Sequence, residues 1–209
     1  GSMIPDGCLT VLNKALSGFV VETNTSVSGA RAEFSDEVRD ICIQLILKFA
    51  TDGHSVLCFL PGHGEMCHVT ECLEAELMRR GEAVISVIDD METYKEMISK
   101  SPRHFYEIFS LHGLMPQSQM NQPMGNPPEK SRRIILATNV AESSLTVKGV
   151  NVVIDSGLRK VNKYNYQDNF SRLENTWCSR ASITQRQGRT GRICDGLSIR
   201  LFTREWEQR

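Results

Sequence analysis

Apolar residues in this chain follow two recurring patterns, one at helical spacing and one in short unbroken runs. Val38, Ile41, Leu45 and Ile46 recur at helical spacing behind Ser35, an N-cap candidate followed by acidic Asp36 and Glu37. Gly53 is the expected end of that helix. Ser55 to Leu60 (SVLCFL) then reads as a strand buried on both faces. Pro61-Gly62 breaks the run, and a second helix is expected to about Arg80, stopped by Gly81. Similar apolar runs predict strands at Ala83 to Ile88, Phe105 to Leu111, Arg133 to Ala137, Val150 to Ile154 and Leu197 to Phe202. Met91 to Lys100 reads as a short helix, and Ser179 to Arg192 as helical up to its glycines. Pro116 to Pro128 holds four prolines and reads mostly as loop.

Strands alternating with helices predict an α/β domain with a mainly parallel central sheet. Ligands of such sheets sit off the carboxyl ends of the strands. The segments following those ends are PGHGE after SVLCFL, TNVAESS after RIILA, and DSGLRK after VNVVI. Arg159 to Trp177 interrupts the alternation and predicts an antiparallel hairpin turning around Tyr166 to Asn169. Rich in Tyr, Phe, Lys and Arg, it is an edge decoration or a nucleic-acid wedge, and the residues alone favour decoration. Residues 1–34 are weakly patterned. Gly1-Ser2-Met3 reads as a cleavage scar and the remainder as a connecting lead-in, leaving 35–209 as the domain.

Composition narrows the choice of function. Forty per cent apolar residues among 209 are enough for a core, and 24 basic against 25 acidic residues exclude a uniformly basic coat while permitting one basic groove. No apolar run is long enough to span a bilayer. Seven cysteines form no paired framework and read as reduced thiols of an intracellular protein, cytoplasmic or nuclear. His63 with Cys67, and His68 with Cys72, are i,i+4 pairs of metal-ligand type. They fall on different parts of one helix without an outside CxxC, so no metal site is expected.

Two segments carry chemistry. In QRQGRTGR, a continuous helix would bring Gln185, Arg189 and Arg192 within roughly 60° of one another while Arg186 points away. Arginine suits multidentate phosphate recognition, although a solvated basic face or structural ion pairs have the same composition. Gly188 and Gly191 are costly in a helix and imply a close approach beside the stripe. In ILATNVAESSLTV a buried strand opens into Thr138, Asn139, Glu142, Ser143, Ser144 and Thr146. Their short polar side chains suit phosphate or sugar oxygens beyond what turn and cap chemistry alone requires.

The segments FLPGHGEM, ILATNVAESSLTV, VVIDSGLRK and QRQGRTGR, in that order, resemble the second RecA-like domain of DEAH/DExH-box RNA helicases of superfamily 2. The resemblance runs from about Phe34 to the C-terminus and implies a RecA-like three-layer fold with an added β-hairpin. It implies catalytic roles for Gln185, which helps to place the attacking water, and for Arg189 and Arg192, which reach the triphosphate, one as an arginine finger. It implies that Thr138, Asn139, His112 and Gly113 touch RNA, and that Ser144 and Thr146 face ATP. The hairpin matches the family element thought to act where a duplex parts, which reverses the preference for decoration.

The family pattern is not complete. Lys148 stands where an acidic residue is usual, Thr190 where many members have alanine, and no aromatic after Leu114 offers an adenine stack. Ser86 to Arg103 is longer than usual. Neither GxxxxGK[ST] nor DExH occurs in the sequence, so ATP and Mg²⁺ are expected to be held mainly by a first RecA-like domain, and this chain alone is expected to be inactive. Expected partners are RNA, that first domain, C-terminal accessory domains and protein cofactors. Alternative readings are a helicase-like RNA-binding scaffold with a degenerate ATPase, and a DNA-acting superfamily 2 helicase.

Overall fold

A computed structural model describes residues 32–86, 91–100, 104–143, 147–165, 169–192 and 195–202. The lead-in expected over 1–34 lies almost wholly outside them. Helix α1 (Asp36–Phe49) begins as its sequence predicts: the Ser35 hydroxyl accepts from Val38 N, and Asp36 and Glu37 lie at the positive end of the helix dipole. It ends earlier than expected, at cap Ala50. Gly53, at φ 71°, instead forms the turn into the sheet, its N–H bonded to Ser131 O.

Strand β1 (His54–Phe59) is buried from Ser55 onward, and α2 (His63–Arg79) follows it after the Pro61-Gly62 break. Met66, Val69, Leu73 and Leu77 give α2 its apolar stripe. Next come β2 (Val84–Ser86), α3 (Met91–Lys100) and β3 (Phe105–Leu111). The segment read as loop contains a one-turn α4 (Gln117–Met120) and a 3₁₀ turn (Gln122–Met124) before β4 (Ser131–Ala137). The chain continues through α5 (Val140–Ser143), β5 (Val150–Asp155), the hairpin strands β6 (Leu158–Asn165) and β7 (Phe170–Trp177), α6 (Arg180–Gln187) and β8 (Leu197–Arg200).

The described strands form one six-stranded parallel sheet, ordered β2-β3-β4-β1-β5-β8, and a separate antiparallel β6-β7 pair. The parallel sheet and the hairpin are both as the patterning predicts. After β1 the chain crosses to the far edge, returns through β3 to β4, and then steps past β1 to β5. That reversal brings the carboxyl ends of β4, β1 and β5 side by side, as at the ligand crevice of an open parallel sheet. Leu57, Phe59, Phe109, Leu111, Ile135 and Val153 build the core on one face. Against the other face lies α1, whose Cys42 Sγ is 3.3 Å from Cys58 Sγ.

One buried ion pair fastens the loop before β4. Glu107 and Arg133 are direct partners across β3 and β4, both at most 2% exposed, with Arg133 Nε 3.0 Å from Glu107 Oε2. Arg133 Nη1 also donates to the carbonyls of Pro123 and Gly125, and the Tyr94 hydroxyl donates to Glu107. Burial, then Glu107, pushes the Tyr94 phenol well above its ordinary range. Replacing Glu107 with alanine would leave a guanidinium in the core without its carboxylate, for an expected loss of about 3–5 kcal/mol in chemical denaturation. The double change Glu107→Met with Arg133→Leu is expected to cost less than Glu107→Ala alone, because no charge remains buried.

Candidate functional site

The carboxyl ends of β1, β4 and β5 are joined by one guanidinium. Arg186, on the inner face of α6 and fully buried, donates from Nε to Glu142 Oε1 at 2.8 Å and from Nη1 to Asp155 Oδ1 at 2.7 Å. Nη1 also reaches Leu158 O at the start of the hairpin, 3.2 Å away, and the guanidinium lies 4.8 Å from the centre of the Phe59 ring. Its carboxylate partners are held in turn. Ser182 Oγ donates to Glu142 Oε2 and Gly157 N donates to Asp155 Oδ1. Burial pulls the Arg186 pKa down, but Asp155 and Glu142 outweigh it and hold the side chain charged.

The arginines expected to act together are arranged differently from a helical stripe. Helix α6 closes at Gln187 with Gly188 as C-cap, so Gln185 is exposed on its last turn while Arg189 and Arg192 lie beyond it. Residues 188–192 follow turns and bends, and Gly191 is left-handed at φ 71°. A Cβ on Gly196 would stand 2.4 Å from Gly191 N and 2.2 Å from Thr190 Oγ1. The close approach implied by the glycines is thus made between two turns of the chain, through Gly196.

Even so, Arg189 and Arg192 lie together beside Leu57, Ala141, Val147 and Val150. Arg189 Nη2 donates to Glu142 O, Arg192 Nε to Gly188 O at 2.9 Å, and the Thr190 hydroxyl to Val150 O at 3.0 Å. Burial and then the like charge of Arg192 lower the Arg189 pKa. This is the environment of a cation that gains from an arriving anion.

The polar segment after β4 sits against the turn after β3. Thr138 N bonds Leu111 O at 3.0 Å, and Gly113 packs near Val140. Thr138 is buried and Asn139 exposed, while His112 is half-buried and Gly113 open to solvent. The structure therefore brings His112, Gly113, Thr138 and Asn139 onto one edge. Ser144 and Thr146 lie outside the described residues. The hairpin base is pinned to this edge by Lys160, whose Nζ bonds Glu65 Oε2 at 2.8 Å and whose backbone N–H bonds Pro61 O.

His63 and Cys67 touch at 3.6 Å, whereas His68 faces Arg39, so the two i,i+4 pairs have separate surroundings. Among the described residues, no group of three or more His, Cys, Asp or Glu could hold a metal ion. None of their helices is long and apolar enough to cross a membrane.

A model of the helicase conserved C-terminal domain matches residues 68–194. The chain belongs to that family, in its DEAH/DExH-box branch. The ATP-dependent RNA helicase DHX29 of Mus musculus is 35% identical over 172 residues, covering 79% of this chain and 11% of the relative. The ATP-dependent RNA helicase DHX30 of Homo sapiens is 34% identical over 167 residues, covering 79% and 12%. The crystal structure of the E. coli DExH-box NTPase HrpB aligns with a TM-score of 0.61 at 27% identity, covering 88% of this chain and 19% of that one. The chain spans about a tenth of the length of these curated relatives. The matched residues include the β6-β7 hairpin and the QRQGRTGR turn.

Sequence reasoning missed Arg186, set aside as pointing away, and gave Glu142 and Asp155 no role as its partners. A signal existed: Arg186 lies three residues after Ile183, the other buried position of α6, and two acidic residues stand near ends of buried runs. Arg186→Ala is expected to cost about 3–5 kcal/mol in chemical denaturation, because two carboxylates lose their counter-ion. Ser182→Ala, which removes one hydrogen bond, should cost about 1 kcal/mol.

His112 gives a second check on this edge. Burial, then the charge of His63 at a ring-centre distance of 4.4 Å, lowers its pKa below the ordinary 6.5. An NMR titration should find its midpoint below 6.5, rising only in part in His63→Ala. Its folded-state pKa lies below the unfolded value, so His112 costs stability as pH falls through 6.5 towards the folded midpoint and costs none above it.

Proposed function

We propose that this domain is the second RecA-like half of an ATP-dependent RNA helicase, closing on ATP held chiefly by a first RecA-like domain and gripping RNA at its carboxyl edge. Arg189 and Arg192 face the triphosphate, one of them as an arginine finger, and Gln185 helps to place the attacking water. Ser144 and Thr146 face the nucleotide, while Thr138, Asn139, His112 and Gly113 contact the RNA strand. The hairpin stands where a duplex would part, and C-terminal accessory domains and protein cofactors complete the assembly.

The observation that carries this reading is the bond from the Arg189 guanidinium to the carbonyl of Glu142. It fastens the arginine turn to the segment that opens from β4 at Thr138 and Asn139. Nucleotide and RNA groups would then ride on one rigid unit, so a change at the phosphates reaches the strand. Arg189 and Arg192 lie together and offer guanidinium donors, which suit phosphate oxygens rather than a cation. Mg²⁺ would accordingly be held chiefly by the first domain and would supply countercharge to the phosphates of ATP. The chain's own contribution is to offset charge developing on the transferred phosphoryl group.

In the full-length protein, Arg189→Ala or Arg192→Ala is expected to lower ATP turnover by about a thousandfold or more, while RNA affinity changes by less than about threefold. Loss of RNA binding with normal turnover would contradict the assignment. Wild-type protein that binds RNA without RNA-stimulated hydrolysis would establish the scaffold reading. Stronger unwinding of a matched DNA duplex would establish the DNA reading.

A further inference from the structure

Beside the His112–Gly113 turn, the structure holds a cavity that the roles above do not use. It measures about 390 Å³ and lies between the first turns of α2 and the end of β3, roofed by the segment that leads into α4. This is at the small end of the ~300–1,000 Å³ range of small-molecule sites. Its deepest residues are apolar, with Leu111 fully buried and Met115 packed against the same core. Hydrogen-bonding side chains ring them: the Thr70 hydroxyl, which donates to Met66 O and stays an acceptor 3.5 Å from that of Ser110, and the amide of Gln119.

Two imidazoles complete the wall. The rings of His63 and His112 meet edge to face, 4.4 Å between centres and 73° between planes. Leu114, 90% exposed, stands at the edge of the cavity without apolar cover. An apolar floor, the face of one imidazole and a rim of hydrogen-bonding groups suit a planar heteroaromatic ring. They do not suit a phosphate, since no arginine or lysine lines the cavity.

We infer that this cavity receives a single unstacked nucleobase from the RNA strand passing over His112 and Gly113. The inference rests on the RNA reading above and adds a base-reading element to it. The backbone of the strand follows the exposed turn, one base rotates past Leu114, and the ring seats against the imidazoles with its polar edge towards Thr70, Ser110 and Gln119. Leu114 then covers the gap left in the base stack, as apolar wedges do between separated bases. Bases differ in the donors and acceptors on that edge, so the cavity confers a preference at one register of the strand, superposed on phosphate contacts that confer none.

The test compares binding of the chain to a short single-stranded RNA and to the same strand with an abasic ribose placed at each position in turn. One position is expected to weaken binding about tenfold, the size of one base contact with an aromatic wall. The penalty should vanish in Thr70→Phe, which fills the cavity. The milder surface change His63→Leu should at least halve it, so a folding defect in the first variant does not blunt the test. Free nucleoside monophosphate should bind far more weakly than the strand.

No abasic penalty at any position, with the intact strand still bound, would overturn the base site and leave the RNA groove standing. A penalty unchanged in both variants would overturn it as well, as would a free nucleotide matching the strand. Failure of every strand to bind at low salt would instead remove the RNA groove, and the base site with it.

Discussion

The guanidinium of Arg186 is fully buried, and a buried cation persists only where its surroundings supply opposite charge. Here that charge comes from Glu142, just beyond β4, and Asp155, at the end of β5, while Phe59 of β1 lies against the guanidinium and Leu158 of the hairpin accepts from it. Three separate stretches of the chain, at Phe59, at Glu142 and at Asp155 to Leu158, are thereby tied to α6 at the one edge where the sheet order brings their ends together. The geometry leaves little freedom. Two carboxylates, a carbonyl and a ring must all be in place before the charge is compensated, so helix, sheet edge and hairpin base form as a unit.

This constraint separates the two basic roles within QRQGRTGR. Arg186 is a structural cation with its partners inside the domain. Arg189 and Arg192 lie past the end of α6, bonded mainly to backbone carbonyls. A carbonyl holds a guanidinium in position without neutralising it. The two arginines thus lie side by side at this edge of the sheet. The same turn is short enough that Gly191 and Gly196 must approach backbone to backbone.

The edge next to it, made by Thr138, Asn139, His112 and Gly113, carries no comparable charge. It offers small polar groups, exposed backbone and a neighbouring cavity of mostly apolar character. With a formal net charge of −1, the whole chain is not designed to hold nucleic acid by electrostatics alone. Shape and hydrogen bonding at this edge would carry more weight than in a strongly basic protein. In the hairpin, Glu174 of β7 lies 2.8 Å from Lys163 across the strand pair and also pairs with Arg172 on its own strand.

Much of the fold was legible in the sequence because local patterns have local causes. The N-cap at Ser35, the buried runs that became β1, β3, β4 and β5, and the hairpin around Asn169 each depend on residues a few positions apart. Ordered motifs pointed to the helicase family in the same way. Helical periodicity fails in two places, at Gly53, which closes no helix, and across Gly188 to Arg192, which follow turns and bends. In both, backbone partners from other strands decided the turn: Ser131 O for Gly53, and Val150 O for Thr190. Residue types and motif order were fixed by the sequence itself. Which arginine is buried and which lies beyond the end of the helix was decided only by tertiary structure, because charge compensation depends on distances between segments that the chain order keeps far apart.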